Sequence, residues 1–381
     1  MPPIDLTALR HEFHRMPELG FAEESTKARV ADILEDLGIE THIGAGVVGV
    51  LRRGTGNRAI GLRADMDALP IQETTGLPHA SCHAGLMHAC GHDGHTAMLL
   101  AAAEHIAKST TFDGTLNLIF QPAEESLGGA RKMMEDGLFD RFPCDAIFAM
   151  HNMPGFRPGQ LLLREGATMA SSENILVHIE GKGGHGAMPH LSADPVVAGS
   201  AIVMGLQTIV SRNVPPLHMA VITVGSFQSG VANNVIPQNA TLKLSVRALD
   251  RGVRELLRNR IVELVELQAR SYGVTAQVEF LPGYPVLVNT PTETEIAREV
   301  AVALVGADNV VLQTEPLTAS EDFAYMLDQV PGSYLFIGNG DADNGGHGAC
   351  MVHNPNYDFE DRNIPVGAAF WVALTERFLS S

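Results

Sequence analysis

Apolar residues recur along this chain at two spacings, and the alternation between them lays out the expected elements. Leu6, Leu9, Phe13 and Met16 lie three or four residues apart, as on one face of a helix. Val30, Ile33, Leu34 and Leu37 repeat that spacing, and Gly38 follows where a helix end favours a left-handed residue. The short apolar runs 47–51, 60–62, 116–120 and 146–150 have strand length. Helical patterns lie between them, from Thr96 onward and over 130–138. Strands alternating with helices predict an α/β sheet covered on both faces. In such sheets functional groups gather at the carboxyl ends of the strands.

From about Glu173 the order changes. A strand at 175–179 precedes a long helix after Asp194-Pro195, with proline at a helix start. Strands at 219–224 and 242–246 follow, then a helix through Leu256, Leu257, Ile261, Leu264 and Leu267, then a strand near 274–280. That βαββαβ order predicts a ferredoxin-like α+β unit inserted in the chain. The α/β pattern then returns, with a helix near 293–304, a strand at 333–337 and a loop holding His347 and His353. The expected organisation is a first catalytic part over 1–172, an inserted domain over 173–288, and a second catalytic part over 289–381.

Composition narrows the class. Hydrophobic residues make up 45% and charged residues 18%, enough for an ordinary core and against disorder. A formal net charge of -18 argues against nucleic acid or anionic lipid as the main partner. No apolar run reaches membrane-spanning length, and the first residues lack a basic-then-apolar export segment. Cys82, Cys90, Cys144 and Cys350 are too sparse for a disulfide framework. A soluble cytoplasmic protein is expected, and sixteen histidines beside one tryptophan hint at metal chemistry.

The chemistry concentrates in Met87-His88-Ala89-Cys90-Gly91-His92-Asp93-Gly94-His95. Thiolate and imidazole hold first-row metals well, and Gly91 and Gly94 let the backbone bend around an ion. Other ligand types sit at strand ends: Asp65 and Asp67 after 60–62, Glu124 and Glu125 after 116–120, His151 after 146–150. Of two adjacent carboxylates, one can hold a metal while the other takes a proton from water. Cys90, His92, Glu125, His151 and His353 would serve two ions roughly 3.5–4 Å apart, with the Cys90 thiolate as bridge. Read without a metal, the same stretches are a histidine-rich loop over a buried cysteine and an exposed glutamate pair.

Six motifs occur in order: Arg-Ala-Asp-Met-Asp-Ala-Leu-Pro (63–70), Met-His-Ala-Cys-Gly-His-Asp-Gly-His (87–95), Phe-Gln-Pro-Ala-Glu-Glu (120–125), Gly-Lys-Gly-Gly-His-Gly-Ala-Met-Pro-His (181–190), Asn-Val-Ile-Pro (234–237) and Ser-Glu-Asp-Phe (320–323). With them the chain resembles the M20 metallopeptidase family, in the branch of hippurate hydrolases, N-acyl-amino-acid hydrolases and auxin-conjugate hydrolases. The wider family carries His-x-Asp at the first motif, and here that place is Asp65-x-Asp67. The resemblance implies a zinc-exopeptidase-like sheet sandwiched by helices, with the inserted unit as lid and dimerisation domain. It implies two divalent ions (zinc, manganese, nickel or cobalt) on Cys90, His92, Glu125, His151 and His353. Glu124 matches the general base, and Asp67 the aspartate that orients the site. His185 matches a histidine that reaches a neighbouring active site and steadies the oxyanion, and Asn234 a residue near the substrate. Without the family, Gly183-Gly184-His185-Gly186 reads as a flexible loop.

The expected activity is hydrolysis of the amide bond of small N-acyl amino acids, by a homodimer or a dimer of dimers. One rival is a dipeptidase or aminopeptidase on the same scaffold, although no acidic clamp for a free amine is evident. The other is a non-catalytic metal-binding protein, which has no use for Glu124 beside Glu125.

Overall fold

Runs that are hydrophobic at nearly every position belong in a sheet covered on both faces. The runs at 60–62, 116–120 and 146–150 become the strands Ala59–Asp65, Gly114–Gln121 and Ala146–Pro154, almost wholly buried. The computed structural model describes residues 5–109, 111–125, 127–312, 315–343 and 346–380. The chain divides into a larger unit, Met1–Gly166, Val288–Glu315 and Asp322–Ser381, and a smaller one, Ala167–Leu287 and Pro316–Glu321. The segment Pro316–Glu321, which the sequence pattern leaves with the returning α/β part, clusters with the smaller unit.

In the larger unit the described residues form an eight-stranded sheet. Its centre is four neighbouring parallel strands in the order Gly114–Gln121, Ala59–Asp65, Ala146–Pro154 and Gly332–Gly340. Val47–Arg53 and Glu40–Ile43 extend one side antiparallel, and Leu161–Leu163 and Val310–Leu312 complete the other. The helices His92–Ser109 and Asn363–Phe378 share the core cluster through Met98, Leu99, Phe370, Trp371 and Leu374. Each such burial contributes about 1.5–3 kcal/mol. The two helices pack closely at Gly367, where a Cβ would lie 2.1 Å from Met98 Sδ.

Several boundaries differ from the sequence expectation. The helix after the cysteine starts at His92, not Thr96, so His92, Asp93 and His95 lie in its first turn. The helix expected over 130–138 splits into Gly129–Glu135 and Leu138–Arg141 at Gly137, whose φ is 83°. His151 lies within its strand, not after it. The helix Asn363–Phe378 was not anticipated, because its nearly unbroken apolar run carries little periodicity.

The smaller unit contains the strands Ala220–Ser229, Asn239–Ala248, Ser171–Glu180 and Thr275–Phe280, antiparallel in that spatial order. This is the ferredoxin-like arrangement. Ile175, Val177 and Ile179 alternate inward, as in a sheet with one covered face. The helices Pro195–Arg212 and Arg251–Ser271 are capped by Asp194, accepting from Val196 N at 2.8 Å, and Asp250, accepting from Val253 N at 2.8 Å. Pro195–Arg212 is long and apolar enough to cross a membrane by length and composition, a length that no run in the sequence was expected to reach. Its Ala198, Ile202, Leu206 and Ile209 are buried in this unit's core.

Candidate metal centre

The parallel strands deliver polar residues to their carboxyl ends. Ala59–Asp65 leads to Asp67, Gly114–Gln121 to Glu124 and Glu125, and Ala146–Pro154 carries His151 near its end. Asp67 organises two of these arrivals. Its Oδ1 accepts from the Glu124 backbone N–H at 3.0 Å, and its Oδ2 from the Glu125 N–H at 2.9 Å. His92 Nδ1 lies 2.8 Å from the Asp67 carbonyl and 3.2 Å from Oδ1, so this nitrogen carries the proton. His92 Nε2, the ring's other nitrogen, is buried without a hydrogen-bond partner.

The cysteine loop is held from behind. Asn152 Nδ2 donates to the Cys90 carbonyl at 2.5 Å, and Tyr357 Oη donates to Asn152 Oδ1 at 2.7 Å. Gly91, with φ 87°, lies so close to these groups that a Cβ would be 2.4 Å from Asn152 Nδ2. The His353 N–H donates to the Ala89 carbonyl at 2.7 Å, tying the distant C-terminal loop to the cysteine loop. His353 (φ 68°) and Ala123 (φ 52°) both adopt left-handed backbone that costs non-glycine residues on the order of 1 kcal/mol. His353 belongs to the cluster, and Ala123 adjoins it.

The five expected ligands converge. The ligand atoms of Cys90, Glu125 and His353 lie within 4.8 Å of one another, as do those of His92, Glu124 and Glu125. Cys90 Sγ is 3.4 Å from His151 Nε2. Glu125 Oε1 lies 3.1 Å from His353 Nε2 yet has no aligned hydrogen-bond partner. His151 Nδ1 donates to the Asn152 carbonyl at 2.6 Å, which turns Nε2 toward the thiol.

The electrostatics of these groups suit a cation. Burial pushes the Cys90 thiol well above its usual pKa, and Glu125, Glu124 and Asp65 push it further. Burial opposes a charge on His92, but Asp65 and Asp67 carry it up to about 10. Burial and the neighbouring His95 keep His151 neutral, the ligating form. A divalent cation relieves the crowded carboxylates and displaces the protons of Cys90 and His92. Sulfur, imidazole and carboxylate groups gathered in adjoining clusters are a donor set that suits such ions. The residues therefore fit the metals that the chain's pattern implies.

His95, in the same stretch, is satisfied without an ion. Its Nδ1–H donates to Asp65 at 2.6 Å, and its Nε2 accepts from the Asn152 N–H at 3.0 Å. Asp65 also accepts from Arg63 at 2.7 Å, so it braces the loop. Glu124 Oε1 accepts from the Asp322 N–H at 3.4 Å. The Asp322 carboxylate in turn accepts from Gln121 and the Ala130 N–H, each at 2.8 Å. Sequence reasoning assigned no role to Asn152, Tyr357, Arg63 or Asp322; the arginine and aspartate within the motifs at 63–70 and 320–323 were the available signal.

His185 and Asn234 lie in the smaller unit, both exposed. The ladder Gly184–His185 pairs with Val235–Ile236, His185 opposite Val235, and the Gly186 N–H donates to the Asn234 carbonyl at 2.8 Å. The two residues are thus neighbours at one short antiparallel ladder of that unit, whose strands lie about fifty residues apart in the chain.

A sheet with a parallel centre, carrying sulfur, imidazole and paired carboxylates at the carboxyl ends of its strands, has the layout of a metal-dependent hydrolase. The chain belongs to peptidase family M20/M25/M40, whose profile matches residues 61–377. It is 43% identical over 374 residues to the hippurate hydrolase of Campylobacter jejuni, covering 97% of this chain and 96% of that one. It is 39% identical over 381 residues to the N-acetyl-L-cysteine deacetylase of Bacillus subtilis, covering 99% and 88% respectively. Among solved structures, a dinuclear metal-binding M20 peptidase of Bacillus subtilis superposes with a TM-score of 0.84 at 31% identity, covering 98% and 97% of the two chains.

Proposed function

We propose that this protein hydrolyses the amide bond of small N-acyl amino acids, with Glu124 as proton carrier beside a two-metal centre. The observation that carries the reading is Glu124. Glu125 points its lone pairs into the Cys90 and His353 cluster, while Glu124, one residue earlier, is held on the adjoining side by Asp67 and Asp322. Cys90, His92, Glu125, His151 and His353 would hold the two ions. When bound, divalent ions supply Lewis acidity to the amide carbonyl and make a water molecule a stronger acid. Glu124 accepts the proton released as that water attacks, then delivers it to the departing nitrogen. Asp67 keeps His92 in the ligating tautomer and fixes the Glu124–Glu125 turn.

His185 is assigned to the developing oxyanion, from a second copy of the chain, and Asn234 to the substrate's carboxylate or carbonyl. A homodimer or dimer of dimers suits that assignment. Edge strand Ala220–Ser229 and the helix Pro195–Arg212 beside it expose Val221, Phe227, Val196, Val197 and Met204, apolar surface that a second copy would cover. Zinc, manganese, nickel and cobalt all match the donor set. A reducing cytoplasmic setting suits the four unpaired cysteines and a thiolate ligand.

The test is kcat/KM on hippurate and N-acetyl amino acids against unblocked dipeptides, with each metal added to chelated protein. Preference for acylated amino acids supports the reading, and preference for dipeptides overturns it.

A further inference from the structure

The turn that presents Glu124 is gripped through three successive backbone N–H groups. Asp67 takes those of Glu124 and Glu125. The first, that of Ala123, donates at 2.8 Å to Glu23 Oε1, one hundred residues earlier in the chain. Ala123 is the strained residue of the turn, at φ 52°. Glu23 precedes the helix Glu24–Asp36 and is fully buried. The loop before it lies against the same turn: a Cβ on Gly20 would meet Leu127 Cδ1 at 2.8 Å and Ala123 Cα at 3.0 Å.

Glu23 is a poor choice for stability. Its second oxygen, Oε2, is buried with no hydrogen-bond partner. Burial lifts its carboxyl to about 7, partly opposed by the backbone N–H groups of Glu23 and Ala123. A buried, half-satisfied carboxyl costs stability against an apolar side chain of similar shape. The gain lies at the turn, where a left-handed alanine needs an outside restraint to stay in one conformation.

We propose that Glu23 is a positioning residue for Glu124, its side-chain oxygen fixing the Ala123 peptide and so the direction in which the Glu124 carboxylate acts. The proposal rests on the proton-carrier role of Glu124. It requires reach and an accepting oxygen, not charge. Glutamine keeps both, and aspartate keeps the charge but is one methylene short.

The experiment compares wild type, Glu23→Gln and Glu23→Asp by metal content, thermal melting, and kcat and KM on an N-acetyl amino acid. Glu23→Asp is expected to keep its metals and a KM within about threefold while kcat falls roughly 10–100-fold, the scale of a misplaced catalytic group. Glu23→Gln is expected to hold kcat within about threefold of wild type. Wild-type kcat in Glu23→Asp overturns the proposal, as does a loss in Glu23→Gln. So does a loss in Glu23→Asp that comes with released metal, since a merely structural residue moves that readout. Wild-type protein that is metal-loaded yet inactive on every acyl amino acid removes the parent reading, and this proposal with it. That result is distinct from an active wild type with indifferent variants.

Discussion

The larger and smaller units handle polar residues in opposite ways. In the larger, Asp65, Asp67, His92, His95, Glu124 and Arg63 are buried and bonded to one another across strands and loops. In the smaller, His185 and Asn234 stand in solvent, the core of Ile175, Leu206, Leu242 and Ile261 is apolar, and the buried Glu173 is answered by Arg254 and Arg258 at 2.6 Å. Burial of charge is costly enough that each buried polar atom demands a chemical explanation, and most here find one in the chain itself. Among those that do not, His92 Nε2 and Glu125 Oε1 lie within the cluster of ligand types and point to an ion. An exposed histidine makes no such demand, because water is its partner.

The difference can be broken or sharpened by substitution. Glu124→Gln is expected to lower kcat by roughly 10²–10⁴ with metal content intact. Metal analysis beside a turnover assay checks it, and a near-normal rate would end the assignment. His185→Ala is expected to lower kcat about 10²-fold while leaving metal content and melting temperature unmoved. An equal loss in both variants would erase the distinction between the units; no loss at all would return His185 to a plain surface residue.

Stability should follow pH through the larger unit. Burial disfavours a charged His14, but Asp93, at 2.8 Å, and Glu73 lift it to about 9. A raised histidine stabilises fully below its unfolded value near 6.5 and loses that contribution as pH climbs through 9. Urea unfolding of chelated protein should show lower stability at pH 10 than at pH 6, the His14 pair contributing on the order of 2–3 kcal/mol, and His14→Gln should shrink the difference by that amount. A wild-type profile already flat contradicts the role of this pair.

Cys90→Ser is expected to weaken metal binding about tenfold or more, since a hydroxyl replaces a soft thiolate. Competition with a coloured chelator measures it. Asn234→Ala should be mildest, raising KM about fivefold for the loss of one hydrogen bond; a collapse of kcat instead would make Asn234 part of the chemistry.

The sequence made some of this visible and hid the rest for physical reasons. Cys90, His92, Glu125, His151 and His353 stood out because few side chains ligate such metals, and each followed or lay near an apolar run. Strand ends were legible for the same reason. The starting turn of the helix His92–Ser109 was not, since its first residues are polar ligands without helical periodicity. The grip of Glu23 on Ala123, and of Tyr357 on Asn152, joins residues one hundred and two hundred and five positions apart, and no local pattern encodes such a pairing. His185 and Asn234 carried no signal of their own residue chemistry, only a family resemblance.

The most direct measurement of the central claim is metal stoichiometry with activity on hippurate, before and after chelation and on restoring a single pure metal. The account predicts two ions per chain, loss of turnover when they are stripped, and recovery when they return. Full turnover in protein shown to hold no metal would contradict it.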